Sequence, residues 1–417
     1  MSGRAALSVA AGDLDWRGLL PAGGMVAWGQ ASAEPLCLTE SLMAARHRVG
    51  GFRAGIGITL SGAAAPEHAD CVSFVSYTGA GNNRRLARAG ALDILPLTYG
   101  QFADALSPVD LLLLHLPPAG PDGSHSMGLV SEYIADLIPR AAMVVAEVND
   151  RLPQTFGSRR VRPDEIDVIV HSSRDPLAMP EARSGETAKA IAARVAGLIE
   201  DGATLQLGIG QLPEAILAAL GGHRDLGIHS GTIGDGVARL AAGGALTNAR
   251  KSIDPGLTVT GAIMGGPEAW AWADGNDALR LAPTSYTHDP AVLARIERFA
   301  AINSAIEVDL TGQINAEIAG GTYVGAVGAA GDFLRAAARS PGGLPIIALP
   351  ASVPKTGQSR IVARLSGPVS TARADAGIIV TEHGVADLRG RTLRDRRRLM
   401  LGIAPPEHRA SLEADSP

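Results

Sequence analysis

The amino-acid sequence predicts an α/β protein made of two open, mostly parallel α/β domains. Three observations carry that expectation. The chain has 417 residues, more than one core usually organises at roughly 100–200 residues per domain. Apolar residues make up 46% of it and aromatics only 4%, with 51 glycines. Such a small-residue composition suits tightly packed layers joined by short turns. Finally, short apolar runs without polar alternation recur between helical patterns, as strands do when a parallel sheet is covered on both faces.

Taken in order, Leu111 to Leu114, Met143 to Ala146 and Val168 to Val170 read as buried strands. Pro176 to Ser184 has two prolines and little periodicity, and reads as a linker. It divides the chain into an N-terminal domain over residues 1–180 and a C-terminal domain over 181–417. Glu186 to Ile199 reads as a helix, with Ile191, Val195 and Ile199 spaced four apart. Thr204 to Gly210 is a strand running into glycines, and Pro213 is expected to open the next helix, where a missing N–H is harmless. That strand, glycine turn and helix restart a doubly wound pattern. Leu257 to Thr260, Ala300 to Asn303, Ile346 to Leu349 and Ile378 to Val380 continue the second series. Ligand chemistry is expected in the cleft between the two domains.

Several function classes fall away. The net charge is −5. The one basic run, Arg394 to Arg398, reads as the solvated face of a helix, so no nucleic-acid partner is expected. No apolar run reaches about 18 residues, and the N-terminus lacks a signal-type apolar region, so the expectation is a cytoplasmic protein without membrane partners. Cys37 and Cys71 are too few for a disulfide framework or a cysteine-rich zinc site, and read as small buried thiols. The 10 histidines include no H-E-x-x-H pattern, and no metal is expected. Gly208-Ile209-Gly210 and Gly55-Ile56-Gly57 both lack the third glycine of a dinucleotide fingerprint. Neither a phosphate-binding P-loop nor a G-x-S-x-G elbow occurs.

What remains is a set of ordered blocks. They include Ala146-Glu147-Val148-Asn149, Pro153 to Gly157, Thr204 to Ala215, Asp225 to Ser230 with Asp235-Gly236, Ile302 to Leu310, and Gly312 to Glu317. Gly331-Asp332-Phe333, Ser359-Arg360-Ile361-Val362 and Thr381 to Gly390 complete the set. Together they resemble the acetyl-CoA hydrolase/transferase family, relatives of 4-hydroxybutyrate CoA-transferase, over nearly the whole chain. The resemblance implies the CoA-transferase type of two-domain α/β fold with the active site between the domains. It also implies a coenzyme A thioester as substrate and no permanently bound cofactor. A carboxylic acid or other acyl acceptor and a homodimer follow from it too. Gly208, Gly210 and Gln211, with Gly325, Gly328 and Gly331, are the residues it assigns to substrate and CoA binding.

Two departures from the family pattern mark the site. Family members that transfer CoA use a glutamate after the His-Ser pair, and its carboxylate attacks the thioester. Here His229-Ser230 is followed by Gly231, which offers no nucleophile. Where the family carries Asn-Asp-Pro, this chain has His288-Asp289-Pro290. An imidazole with an ordinary pKa near 6.5 is able to take a proton at neutral pH. His288, Ser230 and the vacated position 231 are therefore the catalytic candidates. The glycine-rich stretch Gly325 to Gly331 is expected to line an oxyanion hole, with Ala329 resisting a left-handed conformation. The expected activity is thioester hydrolysis or acyl transfer without a glutamyl-CoA intermediate. Two alternatives stay open: a true carboxylate CoA-transferase using another carboxylate, such as Glu268 or Glu317, and a non-catalytic CoA-binding protein.

Overall fold

The computed structural model describes residues 6–181 and 184–414, and they form two compact units. The first comprises Met1–Met179, Val259–Thr287 and Thr322–Val324; the second comprises Pro180–Thr258, His288–Gly321 and Gly325–Pro417. Residues 182 and 183 of the expected linker lie outside the described residues.

The first unit is built on β1 (Leu7–Val9), β2 (Met25–Trp28), β3 (Phe52–Ile56), β4 (Val72–Ser76), β5 (Leu92–Ile94), β6 (Val109–Leu116), β7 (Ala141–Asn149) and β8 (Val168–Ser172). They lie in the order β1-β8-β7-β6-β2-β3-β4-β5, and every neighbouring pair is parallel. The four leucines of β6 are buried on both faces of the sheet, which is why their run shows no alternation. The segment that returns to this unit carries β11 (Thr258–Ile263) and β12 (Leu279–Leu281). It is stitched down by backbone bonds from Ser131 to Gly261, Ile263 to Leu129, Leu281 to Phe156 and Met179 to Gly265. Its chain position gives no hint of this, because the bonds are long-range.

The second unit starts with β9 (Thr204–Leu207) and β10 (Gly227–Ile233). Beyond β12 come β13 (Phe299–Asn303), the short β14 (Glu307–Asp309), β15 (Ile314–Asn315) and β16 (Ile318–Ala319), then β18 (Leu344–Ala348), β19 (Ile361–Val362), β20 (Ile378–Thr381) and β21 (Gly384–Asp387), while β17 (Thr322–Tyr323) belongs to the first unit. In this unit the order is β10-β9-β13-β18-β20-β21, parallel throughout except for β21. Phe299, Phe333, Ile347, Ile379 and Met400 form its core. The helix expected over 186–199 stops at Ala196, where Gly197 caps it. The helix expected to open at Pro213 spans Gln211–Ala219. Pro213 is its third residue, still in the first turn, where N–H groups have no intrahelical acceptor.

Both sheets reverse their winding once. In the first unit the reversal falls between β2 and β6; in the second it falls between β9 and β13. In open α/β sheets the carboxyl side of such a reversal is where a crevice opens. In the first unit a buried polar cluster fills that region. Gln30, just past β2, donates to the Tyr99 hydroxyl and to Glu132 at 2.8 and 2.7 Å, and accepts from the Ile58 N–H and the Tyr77 hydroxyl. Burial pushes the Glu132 carboxyl up to about 7.

That shift has a thermodynamic sign. Folded Glu132 keeps its proton to about pH 7, while an unfolded glutamate releases it near pH 4.3. Its contribution is therefore present in acid and lost as the pH rises through the folded value. Glu132→Gln removes the titration and keeps the shape. Its stability relative to the parent should rise by about 3 kcal/mol between pH 4.5 and pH 8, read from denaturant melts at both ends.

Candidate active site

A pocket of about 260 Å³ lies in the second unit at the carboxyl ends of β9 and β13, where the winding reverses. Gly208, Gln211 and Pro213 line it from the β9 side; Ile302, Asn303 and Ala348 line it from β13 and β18. Two predicted binding residues, Gly208 and Gln211, are thus part of its wall. Gly210 adopts φ +111° at the start of the helix Gln211–Ala219, a conformation that favours glycine. A Cβ on Gly208 would touch nothing within 4 Å, so no neighbouring atom of the protein excludes a side chain there. Beneath the pocket, Asn303 donates to Gln206 across the β9–β13 pair at 2.8 Å.

The next strand, β10, alternates its side chains, so His229, Gly231 and Ile233 share one face and Ile228, Ser230 and Thr232 the other. Over Gly231 lies the imidazole of His288. A Cβ built on Gly231 would stand 3.0 Å from its Cε1 and 3.1 Å from its Nε2. The two residues that depart from the family pattern are therefore in direct contact. The ring is 3% exposed and packs on Phe333 with centroids 4.6 Å apart; Phe333 in turn meets Phe299. Asp289 helps to hold it in place by accepting from the Ala291 and Val292 N–H groups, which caps the turn Pro290–Leu293.

Burial, with a smaller contribution from neighbouring His229, lowers His288 to about 3. The value near 6.5 expected for a solvated imidazole does not apply to a ring under this much apolar cover. Each unit is worth about 1.4 kcal/mol, so protonating the ring at pH 7 costs about 5 kcal/mol. His288 is neutral at physiological pH here. Ser230 is buried as well, and its hydroxyl donates to the Leu207 carbonyl at 3.0 Å. That bond ties β10 to β9 and occupies the proton a nucleophilic serine has to give up.

The glycine-rich stretch splits into two parts. Gly325 and Ala326 donate their N–H groups to the Glu317 and Ala316 carbonyls. A Cβ on Gly325 would collide with the Ala316 carbonyl oxygen, so glycine there serves close backbone packing. Gly328 has φ +59°. Ala329, expected to resist the loop's conformation, sits in the right-handed helical region at φ −82° and carries no strain. Gly331 lies in the first turn of the helix Ala330–Arg339, whose early N–H groups have no intrahelical acceptors.

The alternative carboxylates are placed differently. Glu317 is buried and accepts from the Ser370 hydroxyl at 2.7 Å; Glu268 is exposed, in the first unit. The cysteines are half-buried, not fully buried as expected. Cys71, His47 and Asp70 bring three ligand-type atoms within 4.8 Å of one another, but Arg46 holds both Asp70 oxygens at 2.8 and 3.1 Å. In the basic run, Arg394 and Arg398 are solvent-facing. Arg396 instead reaches the Thr311 and Arg373 carbonyls.

A parallel α/β sheet with a glycine-turned crevice at its winding reversal places the second unit in the open α/β class. Residues 265–416 match the model of the acetyl-CoA hydrolase/transferase C-terminal domain. The chain is 36% identical over 338 residues to a 4-hydroxybutyrate coenzyme A transferase of Clostridium kluyveri, covering 80% of this chain and 79% of that one. Its fold matches a crystal structure of a 4-hydroxybutyrate CoA-transferase from Porphyromonas gingivalis with a TM-score of 0.81, at 30% identity over 98% of this chain and 97% of the other. It also matches RipA from Yersinia pestis, with a TM-score of 0.90 at 28% identity over 98% and 96%. The chain belongs to the acetyl-CoA hydrolase/transferase family, and it is an acyl-CoA-processing enzyme.

Because Gly231 and His288 touch, their substitutions should not add. Gly231→Ala pushes a methyl against the ring and should destabilise the protein by about 1–3 kcal/mol. The same change in a His288→Ala background should cost at least 0.5 kcal/mol less. A double-mutant cycle by chemical denaturation measures the difference. A second outcome follows from the lowered pKa of His288. The unfolded chain takes up a proton near pH 6.5 that the folded chain refuses until about pH 3. Stability attributable to His288 is thus complete above 6.5 and lost as the pH falls below it. His288→Asn should lessen the stability loss between pH 6.5 and pH 4 by about 3 kcal/mol.

Proposed function

We propose that this enzyme cleaves acyl-CoA thioesters without a glutamyl-CoA intermediate, passing the acyl group to water or directly to another acceptor. The observation that carries the reading is the filled space over Gly231. The position offers no carboxylate, and the His288 ring occupies the direction in which a side chain would leave the backbone. Residue 231 supplies no nucleophile, and a side chain there would stand tight against the His288 ring.

The remaining groups suit direct attack. The crevice at the ends of β9 and β13 takes the pantetheine arm, with Gly208 and Gly210 leaving the backbone open to it and Gln211 at its wall. The N–H groups from Gly328 to Gly331 stand at a helix start and stabilise a developing oxyanion; one such donor contributes about 10²–10³-fold. Gly325 serves that loop as its structural anchor. Neutral His288 orients the attacking oxygen or the thioester carbonyl by hydrogen bonding, and Ser230 fixes the strand that carries position 231. The thioester supplies its own activation, so no metal or resident cofactor enters, and coenzyme A appears only as part of the substrate. A carboxylic acid acceptor is the second reading, favoured by the transferase names of the relatives. A cytoplasmic homodimer completes the proposal.

The test follows free thiol from acetyl-CoA and butyryl-CoA, with and without acetate. Thiol release in the absence of any acid, together with no borohydride-trappable glutamyl thioester, is the expected result. Trapping of a glutamyl thioester at any position overturns the reading. Gly231→Glu alone should stay inactive as a transferase because the new side chain meets the ring. Gly231→Glu with His288→Asn should gain acetate-dependent CoA exchange.

A further inference from the structure

We propose that Arg360 is an anion-holding residue of the second unit, binding a phosphate or carboxylate group of the substrate through its guanidinium fork. The proposal rests on the acyl-CoA reading above for the identity of the ligand, but its observations are separate.

The backbone at Arg360 is fixed on both sides. Its N–H donates to the Ala351 carbonyl at 2.7 Å, and its own carbonyl accepts from the Val308 N–H at 2.8 Å. The loop leading to it closes on itself through the Ser352–Ser359 bridge and the Val353 to Gln358 bond. Ala351 lies three residues past Ala348, which ends β18 and lines the crevice. Arg360 thus stands at the same carboxyl edge of the sheet as the pocket.

Its side chain is anomalous. Arg360 is half-buried, and its Nε is shut off from solvent without an acceptor. No hydrogen bond or ion pair to the guanidinium forms among the described residues. Two other arginines, Arg159 and Arg298, also have a shielded Nε. Arg159 spends a terminal nitrogen on Glu165, and Arg298 points one at the Arg250 carbonyl. Arg360 does neither. Glu382 is the carboxylate whose charge it feels, but Glu382 is engaged with the Ala351 N–H at 2.8 Å and makes no ion pair with it. Loss of hydration consequently lowers the Arg360 pKa.

A guanidinium partly withdrawn from water, with no protein partner, loses hydration it does not regain within the protein. A rigid backbone that holds one in that state is the arrangement expected of a residue that awaits an anion. The planar fork matches the paired oxygens of phosphate or carboxylate.

The experiment measures dissociation constants of the full chain and of Arg360→Gln for CoA, dephospho-CoA, inorganic pyrophosphate and acetate, alongside ligand-free melting temperatures. The expected result is a 10- to 100-fold weakening for one class of ligand, the size of a lost charge-assisted bond. Weakening for CoA alone assigns Arg360 to the 3′-phosphate. Weakening for CoA, dephospho-CoA and pyrophosphate assigns it to the diphosphate, and for acetate alone to a carboxylate. Without ligand, Arg360→Gln should melt no lower than the parent, because it removes an uncompensated cation. Unchanged affinities, or a ligand-free melting point several degrees lower, overturn the proposal. If the parent protein binds none of the four, the acyl-CoA reading and this inference both fail. If the parent binds CoA and Arg360→Gln binds all four equally well, only the inference fails.

Discussion

One close approach shapes the site in the second unit: the imidazole of His288 lies where a Cβ on Gly231 would point. A side chain at 231 would need that ring to give by a few tenths of an ångström. The ring in turn leans on Phe333, and Phe333 on Phe299 in the middle of the core. Displacement therefore disturbs close-packed apolar contacts, which interiors resist strongly. The same cover that fixes the ring also sets its chemistry, since burial holds it neutral far below ordinary histidine titration. Crowding at position 231 and loss of basicity have a single cause.

Topology decides where that contact falls. The chain lays β9 and β10 to one side, then crosses to β13, β18 and β20 on the other. The connections after β9 and β13 must leave in opposite directions, so a crevice opens between them. The first unit repeats the scheme between β2 and β6, but its carboxyl edge is filled by Gln30, Glu132 and tyrosines bonded to one another. One winding rule thus yields an open crevice in one unit and a packed polar cluster in the other. The difference lies in side-chain volume: Gly29 after β2 is followed by Gln30, whereas β9 is followed by Gly208, Ile209 and Gly210.

Much of this was legible in the sequence. Unalternating runs such as Leu111 to Leu114 announced parallel strands because both faces of the sheet are covered. The glycines after Leu207 marked the crevice, and comparison with the family pattern singled out positions 231 and 288. What stayed hidden depends on distance in space. Nothing in the chain says that residues 57 apart touch, or that Phe333 shields His288 from water. The pKa near 6.5 assumed for His288 failed for that reason, since desolvation is a property of packing. Arg360 was visible only as part of a matched block. Its lack of partners is a fact about every group around it, and no local pattern encodes it.

The proposed chemistry then turns on water. A glutamyl intermediate keeps the thioester energy inside the protein while acids exchange, so a transferase with that residue tolerates some exposure between half-reactions. On a direct route no such store exists, and whichever oxygen reaches the carbonyl first determines the product. His288 is almost inaccessible, and the crevice wall carries both apolar Ile302 and Ala348 and polar Gln211 and Asn303. An anion-holding Arg360 at the same edge would weigh on the balance, because a carboxylate acceptor gripped there arrives at high local concentration. Hydrolysis or transfer would then be governed less by the missing glutamate than by which anion the guanidinium holds.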